Sequence, residues 1–212
     1  MSKLAISTLC LVVGVNLLLV SHPVMSADVD LDRVIYPQAL AKPSTQSDKI
    51  TEDEIFEDVV LNRVDKLKQF LSQGGSPDRY FYAAVNAGAI DCAKLMISRG
   101  ANVNLADDEG VTPLMTSVRV TYRGTIEITE LLIKSGANVN ARAGKGSTAL
   151  MYASSGVAAH YEDDYVRVVR LLIKNGAKVN VKNKMGATPL SIAREGKWKK
   201  IVTVLKKAGA KF

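Results

Sequence analysis

The chain has 212 residues, and 28 Lys and Arg against 21 Asp and Glu give it a formal net charge of +7. Hydrophobic residues make up 47% and charged residues 23% of the sequence, a balance that excludes a disordered or collagen-like chain. Two cysteines are too few for a disulfide-stapled scaffold. A chain of this length can bury the core of one or at most two domains.

The N-terminal segment is typical of a secretory signal peptide. Lys3 supplies a positive charge, an apolar run of 17 residues extends from Leu4 to Val20, and small residues suited to cleavage follow. The sequence therefore predicts a signal peptide over residues 1–27, cut after Ser26 or Ala27. If it is not cut, it would act as a membrane anchor with the rest of the chain still exported. In both cases we expect the folded part outside the cytoplasm, most simply in the periplasm.

Cleavage would leave Cys92 as the single cysteine, because Cys10 lies within the signal segment. An intramolecular disulfide is then impossible. Cys92 stands where related segments of the chain place an inward apolar side chain, so we expect its thiol to be buried and inert.

The rest of the chain repeats itself. A ten-residue block recurs three times with few changes: LMISRGANVN at 95–104, LLIKSGANVN at 131–140 and LLIKNGAKVN at 171–180. A shorter block, Gly-x-Thr-x-Leu, also occurs three times: at 110–114, 146–150 and 186–190. In the longer block the leucines fall at helical spacing and a glycine follows, which predicts the end of an amphipathic helix.

The shorter block predicts the start of a second helix in each repeat. Thr112, Thr148 and Thr188 can cap a helix through their hydroxyl groups, and Pro113 and Pro189 suit the first helical position, where no backbone donor is needed. Each unit is then a helix pair that buries too little surface to fold alone. Stacked units bury their apolar stripes continuously, so the sequence predicts an all-α solenoid.

These two blocks resemble the ankyrin repeat, with its Thr-Pro-Leu start and its Gly-Ala-x-Val-Asn end. The resemblance implies about five helix-turn-helix units with projecting finger turns. Before them, Pro37, Pro43 and a Ser-Thr-Gln-Ser run predict a linker or N-terminal arm over 28–50. The expected units are 51–78, 79–104, 105–140, 141–180 and 181–212. The histidine of the family motif is replaced by Met115, Met151 and Ser191. With the signal segment, the chain resembles exported bacterial ankyrin-repeat proteins.

Two units carry insertions between their helices, and we consider these a candidate binding site. The extra residues lie around 120–124 and 155–166, where stacking would bring them side by side. They are rich in aromatic and charged side chains, as interface hot spots often are. An equally good interpretation is a tolerated surface insertion. The candidate residues are Tyr122, Arg123, His160, Tyr161, Glu162, Asp163, Asp164 and Tyr165.

Charge is distributed unevenly along the chain. Residues 28–109 contain 9 basic and 15 acidic side chains, whereas residues 110–212 contain 18 and 6. The finger turns follow the same gradient, and the resemblance implies that fingers contact a partner. The candidate finger residues are Asp108, Glu109, Arg142, Lys145, Lys182 and Lys184. For the lysines of the last unit, solubility of a terminal repeat is the better interpretation.

Nothing in the sequence points to catalysis or to a cofactor. His160 and its neighbouring carboxylates match no zinc spacing and complete no calcium loop. Ser154, His160 and Asp163 would share one loop, whereas a catalytic triad needs a rigid scaffold. We therefore expect no enzyme activity, no metal and no cofactor.

The sequence and the resemblance together predict an exported, non-catalytic module that binds another protein. We expect this partner to be an envelope enzyme that the chain inhibits or stabilises. No nucleic acid is expected as a ligand, and the free chain is expected to be a monomer. The alternative is a binder of anionic envelope surfaces, lipid headgroups or lipopolysaccharide, through the basic C-terminal half.

Overall fold

The computed structural model describes residues 50–119, 125–156 and 162–211, and in these ranges the regular structure is helical. The helices come in pairs: α1 Glu52–Val60 and α2 Asp65–Ser72; α3 Phe81–Ala87 and α4 Ile90–Ser98; α5 Pro113–Ser117 and α6 Thr125–Lys134; α7 Ala149–Ser155 and α8 Glu162–Lys174; α9 Pro189–Glu195 and α10 Lys199–Lys207. None of the described helices is long and apolar enough to cross a membrane. The signal segment 1–27 and residues 28–49 of the predicted arm lie outside the described residues, so both stay predictions.

The helices are arranged in two layers, which confirms the predicted all-α solenoid. Within each pair the two helices pack against each other. The first helices α1, α3, α5, α7 and α9 contact one another in sequence, and the second helices α4, α6, α8 and α10 do the same. Each of the five predicted units therefore holds one helix pair, whose apolar side chains are buried between the layers and against the neighbouring pairs.

The predicted threonine caps are confirmed. The hydroxyl oxygens of Thr112 and Thr148 accept hydrogen bonds from backbone N–H groups one turn ahead, at 3.4 Å in both cases. Thr188 accepts from Ser191 N–H at 3.1 Å, and the Ser191 side chain accepts from the Thr188 N–H in return. Ser191 thus replaces the histidine of the motif with a capping interaction. A cap of this kind stabilises a helix by about 1 kcal/mol.

The asparagine that ends the repeated block joins each unit to the next. The Asn104 side chain donates to the Gly136 carbonyl at 3.0 Å and accepts from the Asn138 N–H at 2.7 Å. Asn140 makes the same two bonds to Gly176 and Lys178, and Asn180 to Gly209 and Lys211. One side chain therefore satisfies both a carbonyl and an N–H in the loop of the following unit. We refer to these three residues as the asparagine clamps.

A left-handed residue makes the tight turn between the helices of units without an insertion. Asn62, Gly88 and Lys197 occupy this place with φ of +56°, +67° and +59°. Asn62 also accepts hydrogen bonds from the N–H groups of Asp91 and Cys92, at 2.9 and 3.2 Å. It thereby caps α4, whose own N-cap residue provides no side-chain bond.

Cys92 and Trp198 both serve the packing between units. Cys92 is fully buried, as predicted, and its thiol contacts the Arg63 carbonyl oxygen at 3.4 Å. Trp198 lies against Gly156 and Gly196, where a Cβ atom would overlap its ring. Its indole N–H donates to the Ser155 carbonyl at 2.7 Å, which ties the last unit to the end of α7.

Candidate functional site

Three finger turns project between successive helix pairs, at residues 107–111, 143–147 and 183–187. Each is closed by a backbone hydrogen bond from its first to its last residue, of 2.9 to 3.0 Å. The fourth residue of each finger is a glycine with φ between +73° and +77°. Residues with a Cβ atom rarely adopt this conformation. We call these three turns together the finger row.

Side chains within the first and third fingers hold their turns in shape. The Asp107 carboxylate accepts from the N–H groups of Glu109 and Val111, at 3.0 and 2.8 Å. Asn183 accepts from Met185 and Ala187 in the same way, at 3.0 and 2.9 Å. The second finger has Ala143 at this place and lacks such an acceptor.

Backbone hydrogen bonds also join each finger to the next. Gly144 N–H donates to the Glu109 carbonyl at 2.6 Å, and Lys184 N–H donates to the Lys145 carbonyl at 3.0 Å. The Arg142 guanidinium adds a bond of 2.6 Å to the Lys182 carbonyl. The three fingers are therefore held in a fixed relation to one another, and Arg142 contributes to this connection.

The Tyr82 hydroxyl is within hydrogen-bond distance of the backbone of the first finger. It lies 2.5 Å from the carbonyl oxygen of Leu105, which precedes the turn, and 2.6 Å from that of Val111, the last residue of the turn. Burial raises the pKa of the Tyr82 phenol, so it stays protonated and able to donate. Sequence reasoning missed this residue, because its contacts join positions more than twenty residues apart.

The exposed tips of the finger row differ in chemistry. The third residue of each finger is Glu109, Lys145 or Met185, and all three are exposed. Asp108 beside the first tip is exposed as well, and so are Arg142, Lys182 and Lys184 around the other two. Along the row the surface therefore changes from acidic to basic, and its third tip carries an apolar side chain that the sequence analysis did not single out.

The candidate residues of the two insertions fall into two sets, one outside and one inside the described part of the chain. Tyr122, Arg123, His160 and Tyr161 lie outside the described residues. The prediction that Glu162, Asp163 and Asp164 belong to a protruding loop is wrong, because they form the first turn of α8. Three carboxylates at this place interact favourably with the positive end of the helix dipole, so the helix begins earlier than the insertion suggested.

Two of these acidic residues bind the next unit. The Glu162 carboxylate accepts from the Lys200 backbone N–H at 2.9 Å, at the start of α10. Asp163 accepts from the Lys200 ammonium group at 2.8 and 2.9 Å. The hydrogen bond that Lys200 donates to Asp163 raises the pKa of the Lys200 ammonium group. Asp164 lies 3.6 Å from Arg167 on its own helix, a surface pair of small energetic value.

The prediction that Tyr165 lies on the binding surface is wrong. Its side chain is 0% exposed, and it begins the buried stripe of α8 that continues through Val168, Val169 and Leu172. The spacing from Tyr165 to Val168 and Val169 is that of one helix face, so the residue belongs to the core stripe and not to the insertion. It cannot contact a partner in this conformation.

The comparisons with known proteins identify the repeats. The family model for ankyrin repeats (3 copies) matches residues 80–163, and the model for the single ankyrin repeat matches residues 145–184. The chain contains ankyrin repeats. No curated protein is similar enough to the chain to count as a match.

Ankyrin repeats are protein-binding modules, and proteins built from them are generally non-catalytic. Within the part of the chain that the structure describes, no group of three or more His, Cys, Asp or Glu side chains could hold a metal ion. The finger row has an ordered backbone and carries charged and apolar side chains at its tips. Such a surface can bind by electrostatic and shape complementarity.

Proposed function

We propose that the chain is an exported, non-catalytic ankyrin-repeat protein whose finger row binds another protein of the bacterial envelope. The observation that carries this proposal is the hydrogen bonding between the fingers, through Gly144 and Lys184. Because the turns are already ordered, a partner does not have to bear the entropy cost of ordering them. The signal-like segment over residues 1–27 supports export to the periplasm.

The charge gradient supports a partner with the opposite gradient. The acidic first finger, with Asp108 and Glu109, would face basic groups, and Lys182 and Lys184, before and within the third finger, would face acidic groups. Complementary charge also speeds encounter and fixes the orientation of the complex. An envelope enzyme that is inhibited or stabilised when its surface is covered fits this proposal.

The test is a capture experiment with charge-reversed fingers. The full chain is expressed in a Gram-negative host, recovered from the envelope fraction and used to capture proteins from envelope extract at about 150 mM salt. The finger variant is Lys182→Glu/Lys184→Glu. The matched control is Arg170→Glu/Lys174→Glu on α8, which changes the net charge equally at residues that are also exposed.

We expect the wild-type chain and the α8 control to retain one protein in stoichiometric amount, and the finger variant to lose it. Retention by all three chains would contradict the proposed surface. Recovery of lipid or polyanion alone, released as salt rises, would favour the anionic-surface alternative. If the captured protein is an enzyme, its activity and thermal stability with and without the chain separate inhibition from stabilisation.

A further inference from the structure

Met185, at the tip of the third finger, is exposed to a degree that folding does not explain. Its side chain is 83% exposed, whereas Met96, Met115 and Met151 are 0%, 1% and 2% exposed. Of the described residues it is the most exposed large hydrophobic one, and Leu61 follows at 37%. The corresponding residues of the other fingers are charged, so the solenoid itself does not require an apolar side chain there.

The backbone beneath Met185 is fixed from two sides. Its N–H group donates to the Asn183 side chain at 3.0 Å, and the next residue, Gly186, takes the left-handed conformation that closes the turn. The neighbouring Lys184 N–H is bound to the second finger. Met185 is therefore presented on an ordered turn, while its unbranched thioether side chain can adapt to the shape of a cavity.

The charged residues of the second and third fingers and of their flanking positions are all basic. Lys184 belongs to the same finger as Met185 and Lys182 precedes it, while Arg142 and Lys145 stand just before and within the finger hydrogen-bonded to it. The second and third fingers, with their flanking residues 141–142 and 181–182, contain no Asp or Glu. An apolar centre with a rim of one charge is typical of a hot spot whose partner carries the opposite charge.

We infer that Met185 is the apolar anchor of the finger row and inserts into an apolar socket, rimmed by carboxylates, on a partner protein. This inference rests on the proposed function and adds the chemistry of the partner's site. A protein socket of fixed shape benefits from an anchor on an ordered turn. A fluid lipid surface does not need that order, and stable membrane binding takes more apolar area than one side chain offers.

The test compares two substitutions of similar size at the anchor. Met185→Leu keeps the apolar character, and Met185→Gln removes it with little change in volume. Leu61→Gln makes the same kind of change at the other exposed apolar residue and serves as the control. The probe is the protein captured by the wild-type chain, identified by mass spectrometry and purified, and its dissociation constant is measured for each variant by calorimetry.

We expect Met185→Gln to weaken binding about tenfold or more, Met185→Leu to stay within about threefold of wild type, and Leu61→Gln to have no effect. A benzophenone photo-crosslinker at position 185 should react with a segment of the partner that contains Asp or Glu residues beside apolar ones.

Two results would overturn the inference and leave the proposed function standing: an unchanged affinity of Met185→Gln while Lys182→Glu/Lys184→Glu binds weakly, or a crosslinked segment without carboxylates. Equal losses for Leu and Gln would also overturn it. If vesicles of phosphatidylglycerol and phosphatidylcholine, and no protein, bind the chain in a Met185-dependent way, both proposals fail.

Discussion

At the scale of single residues, the turn between the helices of a unit shows what the backbone demands. Asn62, Gly88 and Lys197 all take the left-handed conformation there. Glycine adopts it without steric cost, and asparagine tolerates it. Lysine has neither advantage, because its Cβ atom makes the backbone conformation at φ +59° unfavourable. The last unit therefore holds a residue that the turn does not favour.

Replacing this lysine should stabilise the protein. We expect Lys197→Gly to raise the free energy of unfolding by about 0.5 to 1 kcal/mol, since relief of the left-handed strain exceeds the extra flexibility of glycine in the unfolded chain. Urea unfolding followed by circular dichroism measures the difference. Lys199→Gly, in the first turn of α10, is the control and should not stabilise. Equal effects of the two substitutions would contradict the strain argument.

The Cys92 thiol should be unreactive in the folded chain. Burial, with Asp91 and Asp58 nearby, raises the pKa of Cys92 to about 11, so it remains a neutral thiol at pH 8. Ellman's reagent should react with it only after urea is added, and Cys92→Ser identifies any signal from Cys10. Because the raised pKa favours the neutral form in the folded state, this contribution to stability is complete below the unfolded-state pKa and declines as pH rises towards 11. Rapid reaction of the native protein at pH 8 would contradict the buried position.

Features set by local sequence could be predicted, and features set by distant contacts could not. The threonine caps were predictable because each bonds to a backbone group three residues ahead. Tyr82 and the asparagine clamps bond to carbonyls 23 to 36 residues away, so their roles appear only in the fold. Tyr165 was misassigned because the start of α8 could not be located inside an insertion. Met185 belongs to no sequence motif, and only its exposure in the structure marks it as a candidate binding residue.

At the scale of the helix pairs, the asparagine clamps explain why the repeated block ends in asparagine. The amide side chain is both a donor and an acceptor, and each clamp uses both functions on the loop of the next unit. Aspartate could accept but not donate. In the first unit Asp78 does only that, accepting from the Asn102 N–H at 2.7 Å. The connection that Asp78 makes between the first two units therefore lacks the donated hydrogen bond of an asparagine clamp.

Removing one clamp should weaken the solenoid measurably. Asn140→Ala loses the bonds to Gly176 and Lys178, and we expect the free energy of unfolding to fall by about 1 to 3 kcal/mol. The control is Asn175→Ala, whose side-chain bond is to Leu171 within the same unit, and it should cost less than about 0.5 kcal/mol. Urea titration of both variants gives the comparison. A loss for Asn175→Ala as large as that for Asn140→Ala would show that the clamps are not specific.

At the scale of the whole molecule, the two features that stand out are the charge gradient and the finger row. The acidic units come first and the basic units last, and the fingers pass through the change of sign. Because all three described fingers are joined by hydrogen bonds, the proposed partner would meet the gradient on one ordered surface. Charge of this kind steers association over distances comparable to the Debye length, so the association rate should fall as salt rises.

Hydrogen exchange on the complex with the captured partner shows directly whether the partner binds at the finger row. We expect partner binding to slow amide exchange in the finger turns 107–111, 143–147 and 183–187, and to leave exchange in the second helices α2, α4, α6, α8 and α10 nearly unchanged. Slower exchange confined to those helices, with the three finger turns unaffected, would show that the partner does not bind at the finger row.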